Sequence, residues 1–518
     1  MQLRTLLATA LAVSLAGSAS AQSVLRVRPF ADIKAIDPIV NTDYGTRNHG
    51  YLIYDTLFAV DDKLAYQPQM VDTYSSSSDG LTWSFHLRPG LAFHDGSKVT
   101  ASDVIASLQR WAKRDGSGQI LMSKTAALEA VDDSTIRLVL RERFGMVLDT
   151  LGKPSSQPPF IMPARVAATS ADALITDPTG SGPFMMKKDE WVAGAKTVYV
   201  KNPGYVPRAE PASGLAGGKR AGFDRVEMVI LPELQTALNA LRTGQIDIFE
   251  EITPDLAPTA RADANITVAR QDNLGQEQML RMNWLTKPFD NAKLRAAVLY
   301  AIDQEDFVRA FSDDPTAGRP CNSFYICASP YFTDAGWPKK PDLDKSRQMV
   351  KDSGYDGTPA LLLDPTDVQR IHAHILVADQ MLRSIGINTN VQAMDFAQMI
   401  SRRGSKAPID KGGWSIFISG PAGLDMLEPF GHQALRAGCD KAWVGWPCDE
   451  KIEALRAEFA NAPDFAARRK IAEAVQLQAI SSAIYWPVAN LYPLRAYRKN
   501  VEGILTPPVP VYWNITRK

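Results

Sequence analysis

The sequence predicts an α/β protein of two lobes joined by a hinge, and three observations carry that expectation. At 518 residues the chain exceeds what one hydrophobic core organises, so two or three domains are expected. Two strand-helix-strand units, one over residues 225–249 and one over 360–393, are each too short for anything but a parallel crossover. Chain passes between the two units, which assigns them to different lobes. A third region, residues 67–143, reads instead as antiparallel hairpins with a helix.

The elements follow in order. Val24 to Val27 forms the first strand; Asp37-Pro38 and Asn41-Thr42-Asp43-Tyr44 lead into a helix that ends near Phe58 and buries Tyr51, Ile53, Tyr54 and Leu57. Leu81, Trp83, Phe85 and Leu87 alternate with Thr82, Ser84, His86 and Arg88, the period of a strand buried on one face. Pro89-Gly90 turns the chain, Leu91 and Phe93 resume the alternation, and Asp95-Gly96 turns it again. Thr100 caps a helix with Asp103 as the reciprocal carboxylate, and Val104, Ile105, Leu108 and Trp111 line its inner face. Residues 135–140 are a strand, the proline-rich stretch 154–163 is a connection, residues 196–200 are a strand, and 203–222 is a Gly/Pro/Ala-rich excursion. The first crossover is strand 225–230, helix 233–242 stopped by Gly244, and strand 245–249. Gln278 to Trp284 opens the last region, where Asp290 caps a helix carrying Leu294, Ala297, Val298 and Ile302. The second crossover is strand 360–363, helix 367–384 closed by Gly386, and strand 387–393. Residues 413–418 form a further strand, helices follow at 450–460 and 465–482, and the strand 484–490 with the tail returns to the first lobe.

Arg4, the apolar run Leu6 to Ala16 and Ala19-Ser20-Ala21 form a secretory signal peptide, residues 1–21. The run is too short to span a bilayer, and no cysteine follows it to carry a lipid. Removing it takes one arginine and no acid, leaving 56 Lys plus Arg against 57 Asp plus Glu; a charge near −1 argues against a nucleic-acid partner. The four cysteines come as two close pairs, Cys321 with Cys327 and Cys439 with Cys448. In an exported chain that spacing favours two short-loop disulfides over a four-thiolate zinc site, which would normally show Cys-x-x-Cys knuckles, although three connectivities remain open.

Residues 80–111, Ile36-Asp37-Pro38 with Tyr54-Asp55-Thr56-Leu57, Ser181-Gly182-Pro183-Phe184, and Pro288-Phe289-Asp290 through Ala301-Ile302-Asp303 together resemble, in order, the signature of family 5 of the bacterial extracellular solute-binding proteins. These are the peptide, opine and nickel binding subunits of ABC importers. The resemblance implies a periplasmic binding protein-like fold (type II, cluster C), with an extra domain inserted in the first lobe. Domain I would comprise residues 22–60, 178–268 and 485–518, domain II residues 61–177, and domain III residues 269–484. It also implies a monomer in the periplasm that hands a small organic solute to permease subunits in the inner membrane, without a cofactor.

The residue inventory agrees with binding rather than catalysis. There is no phosphate-cradling loop ending in Gly-Lys-Ser/Thr, no Gly-x-Ser-x-Gly and no His-Glu-x-x-His; Gly217-Gly218-Lys219 lacks the required context. The six histidines have plain structural readings: His86 on an exposed strand face, His94 hydrogen-bonded locally in a turn, His372 and His374 on different sides of a helix, His49 and His432 alone. The candidate ligand-binding residues are aromatic groups beside lone charges: Tyr44, Asn283, Trp284, Trp414, Phe417, Asp425, and Trp443 with Trp446 between the second cysteine pair. Peptide binders of the family carry an aspartate soon after the Gly-Trp strand; here Ser419-Gly420-Pro421-Ala422-Gly423 fills that place and Asp425 follows. Dipeptide binders carry an arginine where Leu361-Leu362-Leu363 stands. Asp43, Arg47 and Arg370 are candidate replacements for the missing anchors, and their absence weakens the case for a free dipeptide. A secreted hydrolase and a nickel or haem binder of the same class are the rival readings.

Overall fold

The computed structural model describes residues 22–40 and 42–518, so the signal segment lies outside the described residues. Two large sheets carry the lobes. The first has seven strands in the order Phe184–Met186, Lys196–Lys201, Arg225–Val229, Val24–Arg28, Ile248–Ile252, Leu494–Arg498, Ile266–Arg270. Val24–Arg28 lies parallel to both of its neighbours, between the two strands of the first crossover. The crossover helix Leu234–Thr243 buries Ala237, Leu238 and Leu241 against this sheet and stops at Gly244, whose left-handed φ of 77° suits glycine. The second sheet has six strands in the order Gly318–Arg319, Trp486–Leu491, Gln276–Met282, Ile416–Ser419, Ala360–Pro365, Thr389–Met394. Helix Gln369–Ser384 joins its parallel pair.

Between residues 71 and 140 lies a four-stranded antiparallel sheet, Val71–Ser76, Thr82–Leu87, Thr135–Leu140 and Thr125–Ala130. Helix Ala101–Trp111 packs beside it, its start held by Asp103, which accepts from the Thr100 N–H at 2.9 Å and hydroxyl at 2.7 Å. At the far end of that helix Arg110 makes a buried two-pronged ion pair with Asp37, 3.1 and 2.7 Å. The Ile36-Asp37-Pro38 motif thus fastens this sheet to the first lobe.

Several boundaries differ from the sequence expectation, each for a physical reason. The first helix is Tyr44–Ile53, not a helix to Phe58, because the chain turns extended at Tyr54 to meet the 180–184 segment. The proline-rich connection contains a short strand, Phe160–Ile161, which pairs with Asp55–Thr56. Asn291, not Asp290, caps helix Ala292–Leu299 by accepting from the Lys293 and Leu294 N–H groups. Strand Trp486–Leu491 belongs to the second sheet, paired with Gln276–Met282, so the return to the first lobe begins only at Tyr492. Its apolar run is buried on both faces, a pattern that identifies a strand without saying which sheet receives it.

The chain crosses between the two large sheets at residues 271–275 and at 492–493, and the crossings are bonded to each other. The Gln271 N–H donates to the Pro493 carbonyl at 2.9 Å, and the Asp272 carboxylate accepts from the Leu274 and Gly275 N–H groups at 2.7 Å each. Gly275 has φ 72°, and a Cβ there would lie 2.3 Å from the Leu491 oxygen, so a side chain would force the two crossings apart.

Asp55, one residue beyond the extended Tyr54, is the polar centre of the first lobe. Its carboxylate accepts from Lys219 Nζ at 2.7 Å and from the Tyr205 hydroxyl at 2.8 Å, and the Asp55 and Lys219 side chains are both fully buried. Burial alone would raise the Asp55 carboxyl, but the charge and hydrogen bond of Lys219 outweigh it and hold the group below the usual carboxylate range. Lys219 is therefore a structural cation, with its ammonium 4.9 Å from the Trp513 ring centre. The Asp55 N–H donates to Ser181 Oγ at 3.0 Å, and the Gly182 N–H to the Ile53 carbonyl at 2.9 Å. A Cβ at Gly180 would lie 1.8 Å from that same carbonyl oxygen. The Ser-Gly-Pro-Phe and Tyr-Asp-Thr-Leu motifs are thus two halves of one joint. Asp55→Asn is expected to destabilise the protein by about 3–5 kcal/mol in urea denaturation, because it strands the Lys219 charge. The double change Asp55→Leu with Lys219→Met should recover most of that loss.

Candidate ligand-binding site

The site is built from the start of the first helix and the loop leaving strand Ile416–Ser419. Asp43 ends the preceding segment as an N-cap, accepting from the Thr46 N–H at 2.9 Å, which fixes the first turn and aims Tyr44 across the interface. The Tyr44 hydroxyl donates to Asp425 Oδ2 at 2.5 Å and accepts from the Ala422 N–H at 3.0 Å. A residue of one lobe and two of the other are joined at this point. Burial, with the Asp425 charge adding to it, drives the Tyr44 phenol well above its ordinary pKa, so it stays a donor.

Around this bridge lie two arginines and two aromatic rings. The Arg47 guanidinium stacks 4.3 Å from the Tyr44 ring centre and donates to Asn48 Oδ1 at 3.1 and 3.0 Å and to Ser155 Oγ at 2.9 Å. Arg403, just past helix Phe396–Arg402, places its guanidinium 5.4 Å from the Phe417 ring and 5.3 Å from the Trp443 ring. Burial lowers its pKa to about 10, with Tyr44 opposing. Arg403 was not anticipated from sequence; its only signal was a second arginine at a helix end ahead of the Gly-Trp strand.

Tyr44, Arg47, Phe417, Asp425 and Trp443 are therefore linked through direct contacts or through Arg403. Of the remaining sequence candidates, Trp414 and Trp446 join this group only through Phe417, and Asn283, Trp284 and Arg370 have other partners. Trp414 is fully buried with Leu361, Leu363, Met399, Phe417 and Trp446 in a small core on one face of the second sheet, so Trp414 and the equally buried Phe417 are packing residues, with Trp443 packed against them and partly exposed. The Trp414 ring stands edge-on to Phe417 at 5.0 Å, which makes it a support for that ring rather than a wall. Trp446, 6% exposed, belongs to the same core. The Asn283 amide donates to the Trp414 carbonyl at 2.9 Å and is also structural. Trp284 lies against Arg295, 3.6 Å from ring centre to guanidinium. Arg370 bonds to Gln276 and lies 4.0 Å from Glu251 instead of answering for a carboxylate ligand here. The cysteines pair as Cys321 with Cys327 and Cys439 with Cys448, and the second bridge closes the loop that presents Trp443.

His94 is bonded to another segment rather than within its turn, accepting from the Gly180 N–H at 3.0 Å and facing the Gly182 carbonyl at 3.2 Å. One buried constellation looks reactive on paper. The Tyr485 hydroxyl lies 2.9 Å from Glu277 Oε1 and 3.0 Å from His432 Nε2. Burial raises Glu277 well above the carboxylate range and lowers His432 to about 3, so both are neutral, and all three side chains are fully buried. Glu277 Oε2 and His432 Nδ1 have no hydrogen-bond partner among the described residues, and the cluster lies wholly inside the core under the loop, away from solvent. Among the described residues no group of three or more His, Cys, Asp or Glu side chains converges to hold a metal ion, and no helix is long and apolar enough to cross a membrane. A separate small cavity lies inside the first lobe, lined by Phe30, Asp32, His49, Tyr199, Glu250 and Tyr512, and no linked site residue borders it.

A family model for bacterial extracellular solute-binding proteins, family 5, matches residues 65–434. A relative from Sinorhizobium fredii, "Probable peptide ABC transporter periplasmic-binding protein y4tO", is 34% identical over 94% of this chain and 92% of its own. The glutathione-binding protein GsiB of Escherichia coli O1:K1 is 24% identical over 97% of this chain and 95% of its own. Among solved structures, the A. tumefaciens R10 binding protein AgaA in complex with agropinic acid superposes with a TM-score of 0.79 at 22% identity, covering 96% of this chain and 99% of that one. A dipeptide binding protein from Pseudoalteromonas sp. SM9913 in complex with Met-Leu gives the same TM-score at 20% identity, with 96% and 100% covered. The two-lobed α/β fold and the solute-binding class are thus established together: the chain belongs to family 5 of the bacterial extracellular solute-binding proteins.

The geometry separates a packing tryptophan from an interlobe bridge, and the two should respond differently. Trp414→Ala is expected to cost the unliganded protein about 3–5 kcal/mol in urea denaturation. Tyr44→Phe, which keeps the ring, should cost only about 1 kcal/mol. That same change should loosen the lobes, seen as a larger radius of gyration in small-angle X-ray scattering.

Proposed function

We propose that this protein is the periplasmic substrate-binding component of an ABC importer, a monomer that captures a small organic solute between its lobes and delivers it to the permease. The observation that carries the reading is the Tyr44 hydroxyl bridging Asp425 and the Ala422 N–H across the interface, with Arg47, Arg403, Phe417 and Trp443 around it. Residues 22–60, 178–268 and the tail from 492 form the first lobe in this reading, 61–177 the inserted domain, and 269–491 the second lobe. Opening would separate Tyr44 from Asp425 and free both groups for a solute, Asp425 for an amine and Tyr44 for an acceptor. Closure over the solute excludes water and gives the permease a surface that differs between loaded and empty states.

The names of the relatives support a peptide-like or opine-like cargo, and the Glu277, Tyr485 and His432 cluster, fully buried and so out of a solute's reach, supports binding without chemistry. The test is direct. Protein purified from periplasm and then denatured should release a small molecule identifiable by mass spectrometry. That compound, added back at about a hundred times its Kd, should stabilise the emptied protein by about 2.7 kcal/mol. Asp425→Ala should remove this stabilisation and leave the unliganded melting temperature nearly unchanged. A solute that still stabilises the Asp425→Ala protein in full would place the site elsewhere.

A further inference from the structure

The inserted domain meets the second lobe at a contact separate from the Tyr44 bridge. Phe144 and Gly145, which follow the four-stranded sheet, reach helices Glu450–Asn461 and Phe465–Ser482 of the second lobe. The Gly145 N–H donates to the Ala460 carbonyl at 2.9 Å, the Gly145 carbonyl accepts from Arg468 Nη2 at 2.8 Å, and the Phe144 ring stands 5.6 Å from the Phe430 ring. Both backbone groups of one residue are thus satisfied from the opposite domain. A Cβ at Gly145 would lie 2.7 Å from the Ala460 oxygen, so the approach depends on glycine. Further along the same contact Arg436 lies over Gly116, where a Cβ would be 2.3 Å from its Nη1.

Behind this contact the two domains each contribute one carboxylate and one phenol. Asp149, on helix Val147–Leu151, and Tyr66 come from the inserted domain; Glu428 and Tyr331 come from the second lobe. The cations facing them are Arg468 and Arg456. Arg456 is committed to the Pro429 and Phe430 carbonyls at 2.8 Å each and to Glu453 at 2.7 Å. Arg468 crosses to Gly145 and lies 3.8 Å from Asp149. Glu428 forms no ion pair among the described residues; its oxygens accept from the Phe430 and Gly431 N–H groups at 2.5 and 2.6 Å, with Tyr325 behind it donating to the Ala472 carbonyl. Two carboxylates therefore share one nearby cation. Both are partly exposed, the Asp149 side chain by 24%, so protons reach them from solvent. Burial raises the Glu428 carboxyl and the Asp149 charge adds to this, carrying it to about 7 against the two N–H groups and Arg456. Burial raises Asp149 as well, with Arg468 opposing.

We infer that this contact is an acid-favoured latch: closing it brings Asp149 and Glu428 together and takes up a proton, so falling pH favours the closed arrangement of the lobes. The sign follows from which state holds the proton more tightly. With the contact open, both carboxylates face water and ionise in the ordinary carboxylate range; with it closed, Glu428 keeps its proton up to about pH 7. The stabilisation of the closed state is fully present below the ordinary carboxylate range and is lost as pH rises through about 7. None of these groups belongs to the Tyr44 bridge, so the latch acts whichever solute is held there. The inference uses the division into lobes of the binding-protein reading and goes beyond it.

The experiment is hydrogen exchange on the full exported chain, emptied of solute by unfolding and refolding. It is read at the Gly145 amide, whose acceptor Ala460 lies across the contact. After correction for the intrinsic exchange rate, the protection factor of this amide should be about tenfold higher at about pH 5.5 than at about pH 7.5. Glu428→Gln, which cannot ionise, should show the high protection at both pH values. Equal protection at the two pH values in the unaltered protein overturns the inference, and so does a Glu428→Gln protein that keeps the full pH response; either result leaves the binding-protein reading standing. Should Glu428→Gln fail to fold, Asp149→Asn tests the same pair. Removing that charge should cut the pH response to about half or less, and an undiminished response overturns the inference.

Discussion

The buried Asp55 to Lys219 ion pair is the interaction on which the placement of the site depends. Asp55 comes immediately after the helix that carries Tyr44 and Arg47, and its carboxylate gathers the irregular 203–222 excursion through Tyr205 and Lys219. On its backbone side it grips Ser181, so the C-terminal end of the helix is clamped between the 180–184 strand entry and the excursion. With one end held so closely, the other end has little freedom, and Tyr44 meets the opposing loop in one orientation. An ion pair in so dry a place adds little net stability over an apolar pair of equal size, but it tolerates few alternative geometries. The same logic applies to Asp37 and Arg110, which lock the four-stranded sheet to the first lobe.

The second lobe meets this rigid helix with a loop. Residues 420–425 leave a strand that is buried on both faces, and the Gly423 N–H donates to the Gly275 carbonyl at 2.7 Å, in the crossing segment itself. Motion at the crossing is thus passed to the ligand loop through one peptide. Beneath the loop, the buried Glu277, Tyr485 and His432 cluster is neutral and adds no charge to the core. The charged side chains grouped around the Tyr44 bridge are those of Asp425, Arg47 and Arg403.

Much of this was legible in the residues. Periodicity located both crossovers, the Thr100 to Asp103 cap and the strands Thr82–Leu87 and Thr135–Leu140, because each is a local pattern. The strand expected at Leu91 and Phe93 is only an isolated bridge from Ala92 to Lys98, and Thr82–Leu87 pairs instead with Val71–Ser76 and Thr135–Leu140. What periodicity could not convey is membership. Trp486–Leu491 reads as a buried strand in either lobe, and only its pairing with Gln276–Met282 decides the matter. The site shows the same division. Tyr44 and Asp425 stand out as an aromatic and a charge beside turns, whereas Trp414 precedes a strand buried on both faces, where alternation is erased and its direction cannot be read. Arg403 was overlooked because an arginine at the end of a short helix ordinarily faces water, and its partial cover comes from Phe417 and Trp443, which no local pattern brings to it.

The position of strand Leu494–Arg498 has a consequence for how the molecule is made. It lies between Ile248–Ile252 and Ile266–Arg270, so two strands synthesised much earlier are held apart by one that arrives nearly last. A polypeptide that emerges N-terminus first cannot finish its first sheet until this late strand is available. Until the late strand arrives, both flanking edges keep unpaired N–H and C=O groups, open to pairing with a neighbouring chain. Completion of that sheet therefore waits on a strand drawn from the far end of the sequence.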